Sequence, residues 1–346
     1  MAAPDGSTRF VSQVVEQAPP ELEHRFFSWR RALTGDYDVF HVHWPEQLVG
    51  DRRVLWRWAK RAGFAALLVR LKLRRPAVVR TLHNIEPHDG STAVERWLMG
   101  RFDRQVTLAI RLNDRTPSPR AVETVMIRHG HYIDRFRDLP RSERVPGRIL
   151  HFGIVRPYKG IEDLLNVFGE LDRPDLSLRV VGRPVSADLR HLIEEATRRD
   201  PRVTARLEFV PDDVMVREFS EAELVVLPYR EMHNSGVLLV ALSLGCPALV
   251  RASPVNADLA REVGPGWILP FDGDLTPETI AAAIESVRAT RQAALPDLTG
   301  RDWQTIGQQH HEAYMKSLRL RERLPRSGHW PVPLRWRVSQ TGHGQP

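Results

Sequence analysis

Short β-branched runs alternate with amphipathic stretches along most of this chain, the pattern of an α/β fold with parallel sheets. In the first half, residues 38–43 (DVFHVH) and 77–82 (AVVRTL) read as strands buried on both faces. Residues 106–111 form a weaker strand, and residues 124–128 (TVMIR) follow a helix signal at 118–122. Residues 135–147 are polar, charged and carry two prolines, as an interdomain linker would. The pattern then restarts. Strands are expected at 148–152, 176–181, 205–210 and 224–228, with another opening at 247–250. Helices are expected at 161–171, 189–199 and 237–244. The result is two doubly wound, Rossmann-like domains in succession.

A doubly wound domain normally opens with a central strand and a glycine-rich turn. Here the first helical stretch, residues 7–17, begins almost at Met1 with no apolar strand before it. The expectation is that the first strand of the N-terminal domain is missing. Residues 320–346 are rich in Arg and Pro, hold no sustained period and are expected to lack order.

Composition narrows the class. A length of 346 residues has room for two ordinary domains, and an apolar fraction of 42% supports two cores. The single cysteine, Cys246, excludes an internal disulfide and reads as a small buried apolar residue. The N-terminus lacks a signal-peptide layout. The longest apolar stretch, residues 62–73, is interrupted by Arg70 and Lys72 and is too short to span a bilayer. These features imply a cytoplasmic protein, peripheral at the inner face of the plasma membrane.

The net charge of +7 calls for an anionic partner. Residues 52–80 carry ten basic residues and no acid, threaded with Leu55, Trp56, Trp58, Phe64, Leu67 and Leu68. That mixture suits a helix on an anionic membrane surface. It also suits an ordinary surface helix with its apolar stripe inward and its arginines solvated. No nucleic-acid-binding module is present, so nucleic acid is not the expected partner.

Three constellations follow strand ends, where open parallel sheets bind ligands. In HFGIVRPYKG (residues 151–160), Gly153 lets the backbone turn, and Arg156 and Lys159 precede a helix N-terminus. Two cations and a positive helix end suit a diphosphate, bound or leaving. In EMHNSG (residues 231–236), Asn234, Ser235 and Gly236 stand at a helix start with outward backbone N–H groups. In the first half, His41, His43, Trp44 and Glu46 follow one strand, and His83, Asn84, Glu86, His88 and Asp89 follow another. Such groups can act as a base or hydrogen-bond sugar hydroxyls. His129 and His131 close the last strand of that half, where a structural role serves equally well. No histidine spacing matches a known metal cage, and Asp272-Gly-Asp274 reads as a turn.

Taken together, FGIVRPYKGIEDLL, LRVVGRP, RLEFVPDDVMVREFSEAELVVLPYR and NSGVLLVALSLGCPALV resemble, in order and spacing, the GT-B glycosyltransferases of the GT4-like group, glycosyl transferases group 1. The resemblance covers nearly the whole chain. It implies a GT-B fold of two Rossmann-like doubly wound domains facing a central cleft. Residues 1–143 would bind the acceptor and 144–300 the nucleotide-sugar. Residues 301–319 (RDWQTIGQQHHEAY at their start) would form a tryptophan-led helix returning to the N-terminal domain.

The resemblance also assigns roles. Arg156 and Lys159 would hold the diphosphate, with Gly153 close by and Asn234, Ser235, Gly236 and Val237 adding contacts. Gly182, Arg183, Val210 and Pro211 would lie near the nucleoside. His83 takes the place of the family's active-site histidine, and Glu231 stands near its first glutamate. On the acceptor side stand His43, Trp44, Glu46, Asn84, Glu86 and His129. Two departures are visible: Ile154 stands where the family has an arginine, with Arg156 two places on, and Val240 stands where it has a second glutamate. The implied reaction moves a sugar from a GDP- or UDP-sugar to a lipid-linked or polysaccharide acceptor. It would need no metal or other cofactor and would retain configuration, the kind of step used in exopolysaccharide or glycolipid assembly. A sugar-nucleotide epimerase, or a non-catalytic scaffold of the same fold, are the alternatives.

Overall fold

The computed structural model describes residues 9–51, 53–83, 92–117, 122–290, 295–323 and 337–340. From the N-terminus the elements are α1 (Arg9–Glu16), β1 (Glu23–Phe26), α2 (Trp29–Thr34), β2 (Val39–Val42), α3 (Val54–Arg74), β3 (Ala77–Leu82), α4 (Ala93–Asp103), β4 (Leu108–Arg111), β5 (Thr124–Met126) and α5 (Ile133–Phe136). Next come β6 (Arg148–Phe152), α6 (Ile161–Glu170), β7 (Ser177–Val181), α7 (Ala187–Arg199), β8 (Val203–Arg206), α8 (Asp212–Glu221), β9 (Leu224–Leu227) and α9 (Gly236–Ser243). The chain ends with β10 (Ala248–Arg251), α10 (Pro254–Val263), β11 (Ile268–Phe271), α11 (Pro277–Ala289), α12 (Trp303–Arg323) and β12 (Arg337–Gln340).

Contacts divide the chain into two compact units: residues 1–130 with 300–346, and residues 131–299. Each is built on its own six-stranded sheet, all pairs parallel. This is the α/β architecture that the alternating pattern implies.

In unit 1 the strand order is β1-β12-β2-β3-β4-β5. Strands β2 and β3 are buried on both faces because helices cover both. Phe10, Val79, Ile110, Ile306 and Tyr314 fill one side, under α1 and α12. Phe40, Phe64, Leu67 and Phe102 fill the other, under α3 and α4. Thr92 and Glu95 form a capping box that fixes the start of α4.

In unit 2 the order is β11-β10-β9-β6-β7-β8. The chain leaves β6 towards β7 and β8, then returns to lay β9 on β6's other side. Sequence order therefore reverses between β6 and β9, the topological switch point where such sheets bind ligands. Helices α7, α9, α10 and α11 each start at a Ser or Thr whose hydroxyl accepts a first-turn N–H. Cys246 is buried, and burial pushes its thiol up to about 12.

Several expectations need correction. The first boundary falls at Gly130/His131 rather than after residue 143. The charged, proline-bearing stretch belongs to unit 2 because Tyr132 and Phe136 are buried in its core and the Tyr132 amide donates to Ser243 Oγ at 2.8 Å. The strand expected at 205–210 is Val203–Arg206; Val210 instead packs with Met215 and Phe219. Within the tail expected to lack order, α12 runs to Arg323 and residues 337–340 form β12. That strand pairs in parallel with both β1 and β2, in the inner slot where a first strand would belong. No strand precedes α1 among the described residues, and Met1 to Thr8 lie outside them. Most of the helix expected at 118–122 also lies outside them, and Val122 is not helical.

Candidate active site

The unit 2 residues converge on Gly153, where β6 ends. Its φ is +109, and a Cβ there would stand 3.0 Å from Lys159 Nζ and 3.1 Å from Val237 Cγ2. The Lys159 ammonium and the first turn of α9 therefore both lie against this one α-carbon. Two further glycines hold the geometry. Gly160 has φ +67, and its missing Cβ would stand 2.5 Å from the Pro228 carbonyl oxygen, so the 3-10 turn Pro157–Lys159 can seat against the end of β9. Gly182 has φ +142, and its missing Cβ would fall 1.9 Å from the Gly153 carbonyl oxygen.

Replacing Gly182 by valine should accordingly cost about 3–5 kcal/mol, from backbone strain and forced displacement together. Gly169, on α6 with nothing within 4 Å of its absent Cβ, is the control: Gly169→Ala should leave the urea midpoint unchanged or slightly raised. Equal midpoints for the two variants would contradict the close approach at Gly182.

Lys159 is buried, and its ammonium sits 5.0 Å from the centre of the Tyr229 ring. No carboxylate stands within ion-pair distance of it among the described residues. Burial, and then the charge of Arg156, lower its pKa to about 7. The Tyr229 hydroxyl is buried without a hydrogen-bond partner among the described residues, and burial raises its pKa. His151 Nδ1 donates to the Val226 carbonyl at 3.0 Å, which leaves Nε2 unprotonated, buried and without a partner. Burial first, and Lys159 second, lower His151 to about 4, so it is neutral. Ser235 caps α9, its hydroxyl accepting the Leu238 N–H at 3.2 Å. The N–H groups of Gly236 and Val237 remain at the helix start. A buried cation with no carboxylate partner among the described residues, a helix N-terminus and a glycine that allows close approach make this a candidate anion site.

The other unit 2 residues differ in exposure. Arg156, Glu231, Arg183 and Pro211 are exposed, Asn234 is half-buried, and Val210 is a core residue. The Arg183 carbonyl accepts the Val155 N–H at 3.0 Å, fixing the loop after Gly182.

In unit 1 the site residues stand past the ends of β2 and β3. His43 Nδ1 and His83 Nε2 are 2.9 Å apart, sharing one hydrogen bond. The Trp44 ring stacks on His83, with centroids 4.2 Å apart. Phe10 of α1 meets His43, His83 and His129 at centroid distances of 5.5, 5.2 and 4.9 Å. His129 Nδ1 donates to the Gly130 carbonyl at 2.9 Å, and Arg301 donates to the His129 carbonyl at 2.9 Å.

Burial is the main cause that lowers all of these imidazoles. His43 lies at about 3, His129 at about 4, and His83 well below its ordinary value, with His43 as the next cause. They are therefore neutral at physiological pH, and a neutral imidazole can accept a proton. His41 is spoken for by Tyr314 at 2.9 Å and Thr81 at 2.8 Å. Glu46 lies on the 3-10 turn Pro45–Leu48, where burial raises its carboxyl and Arg80 opposes the rise. Asn84, Glu86, His88 and Asp89 lie outside the described residues. Among the described residues no group of three His, Cys, Asp or Glu side chains is placed to hold a metal.

Sequence reasoning passed over Tyr229 and Phe10 and gave His151 no role. Each left a signal: an aromatic directly after a buried strand, an aromatic opening an apolar helix, and a histidine inside a strand.

The chain is similar to known proteins in sequence and in fold. The family described as glycosyl transferases group 1 matches residues 146–289. A GDP-mannose:glycolipid 4-beta-D-mannosyltransferase of Xanthomonas campestris pv. campestris is 44% identical over 317 residues, 91% of this chain and 90% of that protein. Among solved structures, Anabaena HepE in complex with UDP and glucose is similar in fold, with a TM-score of 0.57 at 17% identity over 74% of this chain and 76% of that one. WaaG, a glycosyltransferase involved in lipopolysaccharide biosynthesis, gives a TM-score of 0.50 at 14% identity, covering 79% of this chain and 84% of that one.

Proposed function

The chain belongs to the glycosyl transferases group 1, and from that premise we propose that it moves mannose from GDP-mannose to a glycolipid acceptor. The observation that carries this reading is the likeness to the Xanthomonas mannosyltransferase across nearly the whole of both chains. The donor would lie on unit 2. Lys159, Arg156 and the start of α9 would offset the charge of the diphosphate, and Gly182, Arg183 and Pro211 would stand by the nucleoside. The acceptor would meet unit 1.

The mannose of GDP-mannose is α-linked, whereas the relative's name specifies a β-linked product. For this chain that pairing favours inversion over the retention that the sequence resemblance implies. In one displacement the acceptor hydroxyl bonds to C1, the bond from C1 to the diphosphate oxygen breaks, and GDP leaves with the electron pair. The hydroxyl proton would go to a neutral base of unit 1, and we assign that part to His83, whose buried imidazole is lowered well below its ordinary value. Protein cations, rather than a metal, would stabilise the leaving diphosphate.

A thermal-shift series with GDP, UDP and ADP, with and without EDTA, tests the donor. GDP should raise Tm, and EDTA should not matter; at about a hundred times Kd the stabilisation is about 2.7 kcal/mol. A shift with UDP alone would overturn the GDP reading, and a shift abolished by EDTA would overturn metal independence.

The pH dependence has a definite sign. With its pKa near 7, free Lys159 is charged below that pH and neutral above it, while bound diphosphate favours the charged form. Binding therefore takes up a proton above pH 7, and GDP affinity should fall there by up to about tenfold per unit. Lys159→Arg should flatten that fall; a wild-type affinity unchanged from pH 7 to 9 would contradict it.

A further inference from the structure

Helix α3 carries two apolar faces. Phe64, Leu67, Leu68 and Leu71 are buried on the core side. On the opposite side Leu55, Trp58, Ala62, Ala66, Val69 and Leu73 recur at spacings of three, four and seven, so they share one face, and all six are exposed. Leu55 is 84% exposed, Trp58 56% and Val69 58%. From Val54 to Val69 no charged residue is exposed, an apolar strip about 22 Å long.

Between Val54 and Arg70 the helix's charged side chains are buried or half-buried. Arg61 is buried, bonds Glu95 at 2.9 Å and covers the Trp58 ring at 5.3 Å. Lys60 pairs with Asp51 at 2.9 Å. Arg70 donates to the Gly35 carbonyl and lies over the Tyr37 ring. Helix α4 widens the face: Trp97 is exposed with the Arg101 guanidinium 5.1 Å over its ring, and Arg96 is exposed beside it. Neither helix exposes an acid, because the two acids of α4, Glu95 and Asp103, are taken by Arg61 and Arg80.

Exposed apolar surface of this extent marks a contact. Indole rings at its border and exposed cations at Arg53, Lys72, Arg74, Arg96 and Arg101 match the headgroup level of an anionic bilayer. A second copy packed on the same face would bring these cations together, with no exposed acid on either helix to answer them. We propose that the outer face of α3, with Trp97 of α4, docks on an anionic membrane. The helix lies in the plane of the interface, its apolar strip in the acyl boundary and its flanking cations at lipid phosphates. The sequence alone left open whether residues 52–80 hold a helix for an anionic membrane surface or an ordinary surface helix with its apolar stripe inward and its arginines solvated; the exposed strip supports the first.

Vesicle flotation of the full chain tests this without donor or acceptor, so the result is independent of the reaction. The chain should float with phosphatidylcholine vesicles containing phosphatidylglycerol and do so less at high salt. Arg96→Ser and Arg101→Ser should each weaken binding about fivefold at low salt. Leu55→Ser with Trp58→Ser should weaken it about tenfold or more, with the circular dichroism unchanged. Ala62→Glu, at an exposed position, should do the same and guards against a folding defect. Flotation unaffected by these apolar replacements, or a dimer in sedimentation that they dissociate while lipid binding persists, would overturn the proposal.

Discussion

Lys159→Ala is expected to lower turnover by about two to three powers of ten. The Lys159 ammonium is buried at the end of β6 against the start of α9, with no carboxylate within reach among the described residues. Burying a cation is costly unless something answers its charge. Among the described residues the Tyr229 ring faces it and no carboxylate does, and a leaving diphosphate would supply the answering charge. Because the charge matters most when the C1–oxygen bond breaks, the loss should appear in kcat and not only in KM. Lys159→Arg should recover part of it. Arg156 is exposed, so Arg156→Ala should cost less. Near-normal turnover in Lys159→Ala would remove the diphosphate site from Gly153.

His83→Ala should cost about two to four powers of ten in kcat, the range for losing a general base. For His83 to accept a proton at Nδ1, its Nε2 must carry hydrogen and donate to His43 Nδ1, across the observed 2.9 Å. His43 then positions His83, and Trp44 stacked on the ring limits its rotation. His43→Ala should cost less than His83→Ala and should move the acid limb of the rate profile upwards, since His43 helps to lower His83. With His83 well below its ordinary value, the wild-type rate should hold through neutral pH and fall only below the usual histidine range. A His83→Ala enzyme with an unchanged rate and pH profile would move the base elsewhere.

How much of this the sequence discloses depends on burial. Strands β2, β3, β6 and β9 are covered on both faces, so their apolar runs stand out. So do the residues of the candidate anion site, because a glycine, two cations and a capping serine fall within local motifs. Edge strands leave weaker marks. β1 alternates exposed and half-buried residues, and β8 pairs only with β7, so neither needs a continuous apolar run. The more apolar pair Phe209–Val210 drew the expected strand downstream, but Val210 is needed in the core. β12 could not be read locally at all. Its place between β1 and β2 comes from sheet topology, in a stretch of Arg and Pro without periodicity. The unit boundary was misplaced for a related reason: Tyr132 and Phe136 are two anchors in a polar run, and only their burial shows which core they serve. The helical period of α3 was legible, but which of its two apolar sides faces inward is decided by contacts with α2 and α4.

The most direct measurement is transfer of labelled mannose from GDP-mannose into a glycolipid fraction, followed by the configuration of the new bond. A β-mannoside formed by the wild type in the presence of EDTA, and lost in Lys159→Ala, is the expected result. No label in lipid from GDP-mannose, or an α-mannoside, would contradict the proposed donor or the proposed inversion respectively.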